Sequence, residues 1–293
     1  MPMPPDSAPR RRPSPPAERV RAHLAALAGP TLAQAMPAGY QRVGRVLLVR
    51  LPGSLGPYAR EIGAAWQKEL GVETVLRVLG PVEGELRIPQ VQRIAGEATE
   101  TEVLEHGVRW RFDAARLMFA AGNRVERVRA GRLVHPGETV IDLFAGIGYF
   151  AIPAARAGAG RVIAVEKNPV AARYLRENLR TNGVASTVEV QEGDNRTVPL
   201  PLGAADRVFL GYLPSALPWV PRALALVSPE GGWLHVHTVA DARDAVPAAT
   251  RAVLAALQDA GGTALGAPSA REVKPYGPGR THVVVDVRAR PVP

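Results

Sequence analysis

Hydrophobic positions in the first third of the chain alternate between strand-like and helix-like spacing. Short apolar runs, VGRVLLVRL and VETVLRVLG, flank the segment YAREIGAAWQKEL, and further short strands follow around VQRIAG and TETEVLEHG. An Ala- and Leu-rich stretch at 19–27 predicts a short helix that ends before Gly29 and Pro30. The pattern predicts a small N-terminal α+β domain at residues 21–106.

After residue 106, apolar strands alternate with helical segments. The strands are ETVIDLFAG, RVIAVEKN, TVEVQEGD, DRVFLGYL, WLHVHTV and THVVVDVRA, and helices are expected from Tyr149, from Pro169 and over roughly 247–260. Such alternation indicates α/β architecture with an open, doubly wound, mostly parallel sheet of the Rossmann-like kind. We expect this second domain at residues 107–293.

Composition narrows the functional classes. The chain has no cysteine, which excludes disulfides, thiolate metal sites and a cysteine nucleophile. Residues 1–20 are rich in Pro and Arg and predict a disordered tail. With neither an apolar run of membrane-spanning length nor a secretory signal, we expect a cytoplasmic protein. The formal charge of +9 favours a polyanionic partner, although a general bias toward Arg would give the same value.

A candidate cofactor site lies at the ends of three predicted strands. Asp142, Gly146 and Gly148 follow the first strand, and small residues at this position let a ligand approach the backbone closely. Glu166 ends the next strand about 20 residues later, where a carboxylate can accept both hydroxyls of a ribose. Asp194 follows the third strand. The alternative role for these carboxylates is to cap helices.

The glycine pattern distinguishes a dinucleotide site from an S-adenosylmethionine site. A dinucleotide site requires a third glycine near the pyrophosphate, and this chain has Phe150 there. S-adenosylmethionine carries no phosphate and does not need that glycine. Asp194 and Asn195 are placed to contact the adenine. The pattern therefore predicts an S-adenosylmethionine site.

Several blocks of the chain resemble one family. They are DLFAGIGYFAIPAA at 142–155, VEKNP at 165–169, GDNR at 193–196, DRVFLGY at 206–212, HVHTVA at 235–240 and VKPYGPGRTHVVVDVR at 273–288. Together they resemble the tRNA position-37 enzymes, which comprise guanine-37 N1-methyltransferases and wybutosine-synthesizing aminocarboxypropyltransferases. The resemblance runs from about Tyr40 to Arg288. It implies a class I methyltransferase type of fold and tRNA as partner.

Two short segments favour the aminocarboxypropyl branch. The methyltransferase branch is expected to carry a Phe-Ser-Pro-Arg-Leu type stretch and an Asn-Leu-Pro, whereas this chain has Met118–Asn123 (MFAAGN) and Gly211 at the Asn position. The resemblance implies transfer of the 3-amino-3-carboxypropyl group to the tricyclic base at position 37 of phenylalanine tRNA, with release of 5′-methylthioadenosine. The alternatives are guanine-37 N1-methylation, transfer to a small-molecule acceptor, and RNA binding without turnover.

The resemblance also assigns site residues. Those expected to bind the cofactor are Ala120, Arg127, Asp142, Phe144, Ala145, Gly146, Gly148, Glu166, Lys167, Asn168, Asp194, Asn195 and Gly211. Those expected to contact the substrate are Arg116, Phe119, Asn123 and Tyr212. Ala120 replaces a family Ser, so one hydroxyl contact is absent, and Arg127 is expected to pair with the cofactor carboxylate.

The mechanism expected from these residues is mostly alignment. Gly211 is expected to make room for the bulky base or for the cofactor tail, and Asp194, His235 or His237 to take the proton after attack. The two histidines lack an evident third ligand, which argues against a metal. Tyr212 either stacks on the base or packs in the core.

Partners beyond the cofactor are expected from charge and from the resemblance. An Arg-rich run crosses the domain junction and is either solvated helix charge or a phosphate-contacting surface; its members are Arg109, Arg111, Arg116, Arg124, Arg127, Arg129 and Arg132. We expect the anticodon loop of tRNA as partner and a monomeric protein.

Overall fold

The computed structural model describes residues 14–292, which form two compact units. The first contains residues up to Thr101 together with Asp113–Ala115, and the second contains Glu102–Phe112 and the chain from Arg116 onward. The boundary predicted from the sequence lay between residues 106 and 107. Most of the predicted tail lies outside the described residues, and a helix already begins at Pro16, before the expected domain start.

Helices occur in both units. They are α1 (Pro16–Ala28), α2 (Pro30–Gln34), α3 (Ala59–Leu70), α4 (Arg124–Leu133), α5 (Ala151–Arg156), α6 (Pro169–Thr181), α7 (Val220–Leu226) and α8 (Ala245–Asp259). Short 3₁₀ helices cover Gly53–Tyr58, Ala121–Asn123 and Leu217–Trp219.

Strands make up the centre of each unit. They are β1 (Tyr40–Val43), β2 (Val46–Arg50), β3 (Thr74–Val78), β4 (Val91–Ala95), β5 (Glu100–Glu105), β6 (Val108–Asp113), β7 (Thr139–Asp142), β8 (Arg161–Glu166), β9 (Val188–Glu192), β10 (Arg207–Leu210), β11 (Gly232–Asp241), β12 (Gly262–Ala264), β13 (Ser269–Gly277) and β14 (Arg280–Pro291).

The first unit is a small α+β domain. Its sheet has the order β1-β2-β3-β4, in which β2 and β3 are parallel and the other pairs are antiparallel. Helices α1 and α3 contribute Leu24, Ile62 and Trp66 to a core shared with Leu47 and Val75 of the sheet. Burial of this apolar face, more than helix propensity, stabilises the two helices.

The second unit is built on a larger sheet with the order β9-β8-β7-β10-β11-β14-β12, and β13 pairs with β14. Strands β7 to β11 run parallel, and β14 is antiparallel to β11. Because the chain moves outward from β7 in one direction as far as β9 and then returns to β10, the order reverses between β7 and β10. Ligands of such sheets bind at this reversal, outside the carboxyl ends of the strands.

The sequence explains why the central strands lie inside. All four residues of β10 are buried, as are the last three of β7, which matches the continuous apolar runs of strands covered on both faces. Helix α6 begins where Asn168 accepts a hydrogen bond from the Val170 amide and Pro169 occupies the first turn.

The structure confirms the predicted fold, a doubly wound α/β sheet with a small N-terminal α+β domain. The sequence did not predict β12 and β13. Within residues 14–292, none of the helices is both long enough and apolar enough to cross a membrane.

Candidate functional site

Asp142 ends β7 at the point where the strand order reverses. It is fully buried, its Oδ1 accepts a hydrogen bond from the Phe144 amide at 3.1 Å, and its Oδ2 has no hydrogen-bond partner among residues 14–292. Burial raises the pKa of Asp142 to about 7. Buried carboxyl oxygens normally have a partner, so this oxygen marks a place where a polar ligand can complete the hydrogen bonding.

The loop after Asp142 needs its glycines for two reasons. Gly146 and Gly148 have φ of +55° and +108°, the left-handed region that side chains disfavour. A Cβ on Gly148 would also lie 2.6 Å from Ile152 Cδ1. Ala145 is buried beneath the loop, and its amide donates to the Val165 carbonyl at 2.9 Å. The loop therefore presents backbone at its surface.

Glu166, at the end of β8, is tied to this loop. Its Oε2 accepts from the Gly146 amide and its Oε1 from the Asn168 amide, each at 2.7 Å. Burial raises its pKa. The structure thus brings Glu166 and the glycine loop together, as predicted, while Asn168 serves as the N-cap of α6.

The residues predicted for the adenine lie after β9. Asn195 is buried and donates from Nδ2 to the Leu143 carbonyl at 2.7 Å, which ties this turn to the end of β7. Asp194 pairs with Arg196 and with Lys167, whose Nζ lies 2.8 Å from Asp194 Oδ2. These hydrogen bonds, that of Arg196 first, hold the pKa of Asp194 well below its usual range. Asp194 is therefore a stable carboxylate and a weak base.

The segment Met118–Asn123 is attached to the glycine loop through Tyr149. The Tyr149 hydroxyl donates to the Met118 carbonyl at 3.0 Å, and the Phe119 ring stacks on Phe112 at 4.9 Å. Asn123 has a buried Oδ1 with no partner in the described part of the chain. Tyr149 was not predicted as a site residue, because an ordinary aromatic in a helix start carries no local signal.

Arg127 is engaged within the protein. Its side chain is 4% exposed, and it pairs with Glu105 at 2.6 Å and donates to the Ala120 carbonyl at 2.9 Å. The guanidinium also lies 4.9 Å from the Phe119 ring centroid and 5.4 Å from that of Tyr149. The expected direct pairing with a cofactor carboxylate does not fit this arrangement, because Glu105 already balances the charge. Arg127 instead positions the backbone of Ala120.

Gly211 does not leave open space, contrary to the expectation from the sequence. A Cβ at this position would lie 2.6 Å from Phe150 Cε2, and the Phe150 ring is itself buried. The ring packs against Phe209 and His237, with centroid distances of 5.1 and 5.3 Å. The glycine is needed because Phe150 fills the volume that a side chain would occupy.

Tyr212 lies in an aromatic cluster at the carboxyl ends of β7 and β10. Its ring stacks on Phe144 at 5.1 Å and lies 5.2 Å from Trp219, all three being half-buried. The structure brings together Phe144, predicted for the cofactor, and Tyr212, predicted for the substrate, and adds Trp219. Arg116, also predicted for the substrate, is exposed.

His235 is a buried structural residue, which corrects its proposed role as a base. Its Nδ1 lies 2.5 Å from Asp286 Oδ1, and its Nε2 lies 2.7 Å from Nη1 of Arg207. A guanidinium can only donate, so Nε2 must be the unprotonated acceptor and Nδ1 the donor to Asp286. His235 is therefore neutral, and burial lowers its pKa. Its lone pair is already occupied by Arg207.

His237 is likewise enclosed. It is 2% exposed, and its Nδ1 lies 2.8 Å from Nε2 of the fully buried His282. Burial lowers the pKa of both imidazoles to about 3. His237 is too weak and too deeply buried to exchange protons with a substrate, so this proposed base is also corrected.

Charged side chains continue from His235 to α4. Asp286 also accepts from Arg129 at 2.7 Å, Arg129 pairs with Glu126 at 2.6 Å, and Glu126 pairs with Arg271 at 3.2 Å. We call this set the buried charge network; its members are Glu138, Arg207, His235, Asp286, Arg129, Glu126 and Arg271. Three guanidiniums face three carboxylates, which agrees with a neutral His235.

The residues at the strand ends fit S-adenosylmethionine. Asp142 offers an unpaired carboxyl oxygen, the glycine loop presents backbone, and Glu166 stands at the end of the neighbouring strand. Nothing in this set supplies the third glycine that a pyrophosphate requires.

Comparison with protein families gives one match in the N-terminal part of the chain and another in the part that follows. Residues 101–259 match the TRM5/TYW2 methyltransferase domain, and residues 20–99 match the TYW2 N-terminal domain. These matches cover the first unit from residue 20 and the second as far as residue 259, which includes strands β7 to β11 of the class I methyltransferase type of sheet.

Individual relatives from the same family match most of the chain. The tRNA(Phe) (4-demethylwyosine(37)-C(7)) aminocarboxypropyltransferase of Pyrococcus horikoshii is 33% identical over 270 residues, which is 92% of this chain and 96% of that protein. The crystal structure of P. horikoshii TYW2 in complex with MeSAdo has a TM-score of 0.81 at 31% identity, covering 94% of this chain and all of that one. That of M. jannaschii TYW2 in complex with AdoMet has a TM-score of 0.69 at 28% identity, covering 87% of this chain and all of that one. The chain belongs to the TRM5/TYW2 family.

Proposed function

We propose that this chain transfers the 3-amino-3-carboxypropyl group of S-adenosylmethionine to the tricyclic wyosine-type base at position 37 of phenylalanine tRNA. The packing at Gly211 is the observation that favours aminocarboxypropyl transfer over N1-methylation. The Asn expected there in a methyltransferase has no space, because Phe150 lies 2.6 Å from the position of a Cβ. The relative with that activity covers nearly the whole chain, which supports the same assignment.

The reaction joins a carbon of the base to the γ-carbon of the methionine moiety. When bound, S-adenosylmethionine supplies an electrophilic γ-carbon whose bond to the sulfonium breaks as the new carbon–carbon bond forms, with the electron pair leaving on 5′-methylthioadenosine. The attacked carbon of the base then loses its proton to solvent water.

This chain's own residues bind and orient the reactants. Glu166 is held by two backbone amides at the end of β8, where it can accept the ribose hydroxyls, and Asn195 fixes the turn that faces the adenine. The Met118–Asn123 segment, held by Tyr149 and Arg127, is the natural site for the methionine moiety. Although Ala120 lacks the family hydroxyl, its carbonyl is fixed by Arg127.

Alignment supplies most of the catalysis. The three side chains predicted as bases are unsuited to the task, since the pKa of Asp194 is held low and His235 and His237 are buried. Loss of the proton restores the aromatic base and needs little assistance. Orientation of two bound reactants contributes about 7–11 kcal/mol in well-aligned model reactions.

The anticodon loop is the part of tRNA that we propose to enter the site, because its bases are single-stranded and can be turned outward. Tyr212 and the half-buried rings of Phe144 and Trp219 offer a stacking surface for such a base. We also propose that the chain acts as a monomer in the cytoplasm, as its sequence predicts.

Two labelled forms of S-adenosylmethionine test the function. One carries the label in the methyl carbon and the other in the carboxyl carbon, and each is incubated with tRNA(Phe) bearing 4-demethylwyosine, with a tRNA(Phe) transcript bearing guanosine at position 37, and with the free tricyclic base. We expect only the carboxyl label to enter RNA, and only the tRNA that bears the tricycle.

The other outcomes are decisive. Methyl label in the guanosine-bearing transcript would assign the chain to the methyltransferase branch. Carboxyl label in the free base at an equal rate would assign a small-molecule acceptor. The variant Asp142→Ala should abolish incorporation, whereas Asp241→Ala, which alters an exposed ion pair at the end of β11, should retain it.

A further inference from the structure

A separate cavity lies between the turn of the β5–β6 hairpin, the first turns of α4 and the helix α5. Its volume is about 170 Å³. We call it the arginine cavity. Its polar and aromatic lining residues are Glu105, His106, Trp110, Arg124, Arg127 and Arg156, and Val108, Val128 and Pro153 form the apolar part of its wall. It does not include the strand ends that form the cofactor site.

The arginine cavity carries excess positive charge. Glu105 is engaged by Arg127 at 2.6 Å, and this pair is neutral. Arg124 and Arg156 have no carboxylate partner within residues 14–292, and Arg156 donates a hydrogen bond to the Gly107 carbonyl of the hairpin turn. Two uncompensated guanidiniums therefore face one concave surface, which concentrates a positive potential there.

The polar side chains that line the arginine cavity are mostly of types that donate hydrogen bonds. Trp110 is 1% exposed, and its Nε1 has no hydrogen-bond partner in the described part of the chain. Indole and guanidinium groups can only donate, and the carboxylate of Glu105 is already engaged by Arg127. A complementary ligand is anionic and offers several acceptor oxygens.

The size of the arginine cavity limits that ligand. Pockets that enclose a whole drug-sized or nucleotide-sized molecule have volumes of about 300–1,000 Å³, larger than the 170 Å³ found here. A tetrahedral phosphate group fits this size, and arginines bind it with paired hydrogen bonds.

We propose that the arginine cavity binds a backbone phosphate of the RNA substrate, which rests on the proposed function. Arg124 directly follows Asn123, so the cavity and the substrate segment share one stretch of chain. Phosphate contacts position RNA without reading its sequence. The cavity holds the strand in register while the acceptor base reaches the strand ends.

The test measures how RNA affinity depends on salt. Binding of tRNA(Phe) bearing 4-demethylwyosine is measured by filter retention between about 50 and 200 mM KCl for the full chain and for Arg124→Gln/Arg156→Gln. Loss of two phosphate contacts should lower the slope of log Kd against log salt concentration by about 1.4. The factor by which the wild-type chain binds more tightly than the variant should therefore be about sevenfold smaller at the highest salt concentration than at the lowest. Arg127 is kept unchanged because it holds Ala120.

The control variant Arg243→Ala/Arg251→Ala removes two arginines at Asp241 and at α8 and should leave the slope at the wild-type value. Calorimetric affinity for S-adenosylmethionine should be the same in all three proteins, which also shows that the variants are folded. An unchanged slope in Arg124→Gln/Arg156→Gln would overturn the phosphate site alone. Failure of the wild-type chain to bind this tRNA would overturn the RNA substrate and the phosphate site together.

Discussion

Removal of the Asp286 carboxylate should destabilise the second unit strongly. Asp286 is 6% exposed, accepts from His235 at 2.5 Å and accepts from Arg129 at 2.7 Å. In Asp286→Ala, three guanidiniums of the buried charge network face only two carboxylates. Removing one partner of a buried pair costs about 3–5 kcal/mol, and we expect the lower end, because Arg129 keeps its bond to Glu126.

Urea unfolding followed by tryptophan fluorescence measures this cost. The matched control is Asp241→Ala, because Asp241 also pairs with an arginine but lies exposed, and its loss should not change the free energy of unfolding measurably. A cost below about 1 kcal/mol in Asp286→Ala would refute the reasoning, since it would mean that neither His235 nor Arg129 depends on this carboxylate in the folded state.

The same network predicts a pH effect with a definite sign. Burial alone would raise the pKa of Asp286. The hydrogen bond from His235 and the charge of Arg129 outweigh burial and hold this pKa below its usual range. The stabilisation of the folded state by the Asp286 carboxylate is therefore fully present above the unfolded pKa of about 3.9, and it is lost as the pH falls toward the pKa of Asp286 in the folded state. Asp286→Ala should lose the acid-sensitive part of the wild-type stability that appears below pH 4.

Three further outcomes are expected. Gly211→Asn should lower the free energy of unfolding by about 1–3 kcal/mol through overpacking. Adding Phe150→Leu to this variant should restore most of the loss. If the effects of the two substitutions simply add, the Phe150 ring is not the obstacle. Burial lowers the pKa of His237 and His282 to about 3, below the unfolded value near 6.5. The free energy of unfolding should therefore fall by about 2 kcal/mol for each histidine between pH 8 and pH 5, because the unfolded state binds the protons. In urea titrations, His237→Phe/His282→Leu should flatten this dependence of unfolding free energy on pH. Asn168→Ala should cost about 0.5–2 kcal/mol of cap energy in the same assay, whereas Asn168→Asp should cost little; equal losses would argue against a cap.

The strand ends could be predicted from the sequence because their signals are local. Asp142 and Glu166 each follow a continuous apolar strand, and parallel strands bring their carboxyl ends to one edge. The α/β fold and its small N-terminal domain follow from the same periodicity. The observed bond from the Gly146 amide to Glu166 joins residues that the spacing alone had already paired.

The roles of His235, Arg127 and Gly211 could not be predicted, because they depend on residues distant in the sequence. Asp286 lies 51 positions from His235, and its carboxylate turns a possible base into a structural group. Glu105 lies 22 positions from Arg127 and neutralises it. Such pairings depend on strand register and helix packing, which local patterns do not specify.

The two glycines that separate this chain from the methyltransferase pattern differ in how firmly the fold requires them. Gly122 stands opposite the Arg of the Phe-Ser-Pro-Arg-Leu stretch, and a Cβ there would lie 2.9 Å from Lys274 Cδ, part of a long side chain that can move aside. At Gly211 the obstacle is the Phe150 ring, buried between Phe209 and His237. The fold therefore tolerates a side chain at 122 far better than at 211. A side chain at 211 therefore requires repacking of the core beneath it, whereas one at 122 requires only movement of the Lys274 side chain.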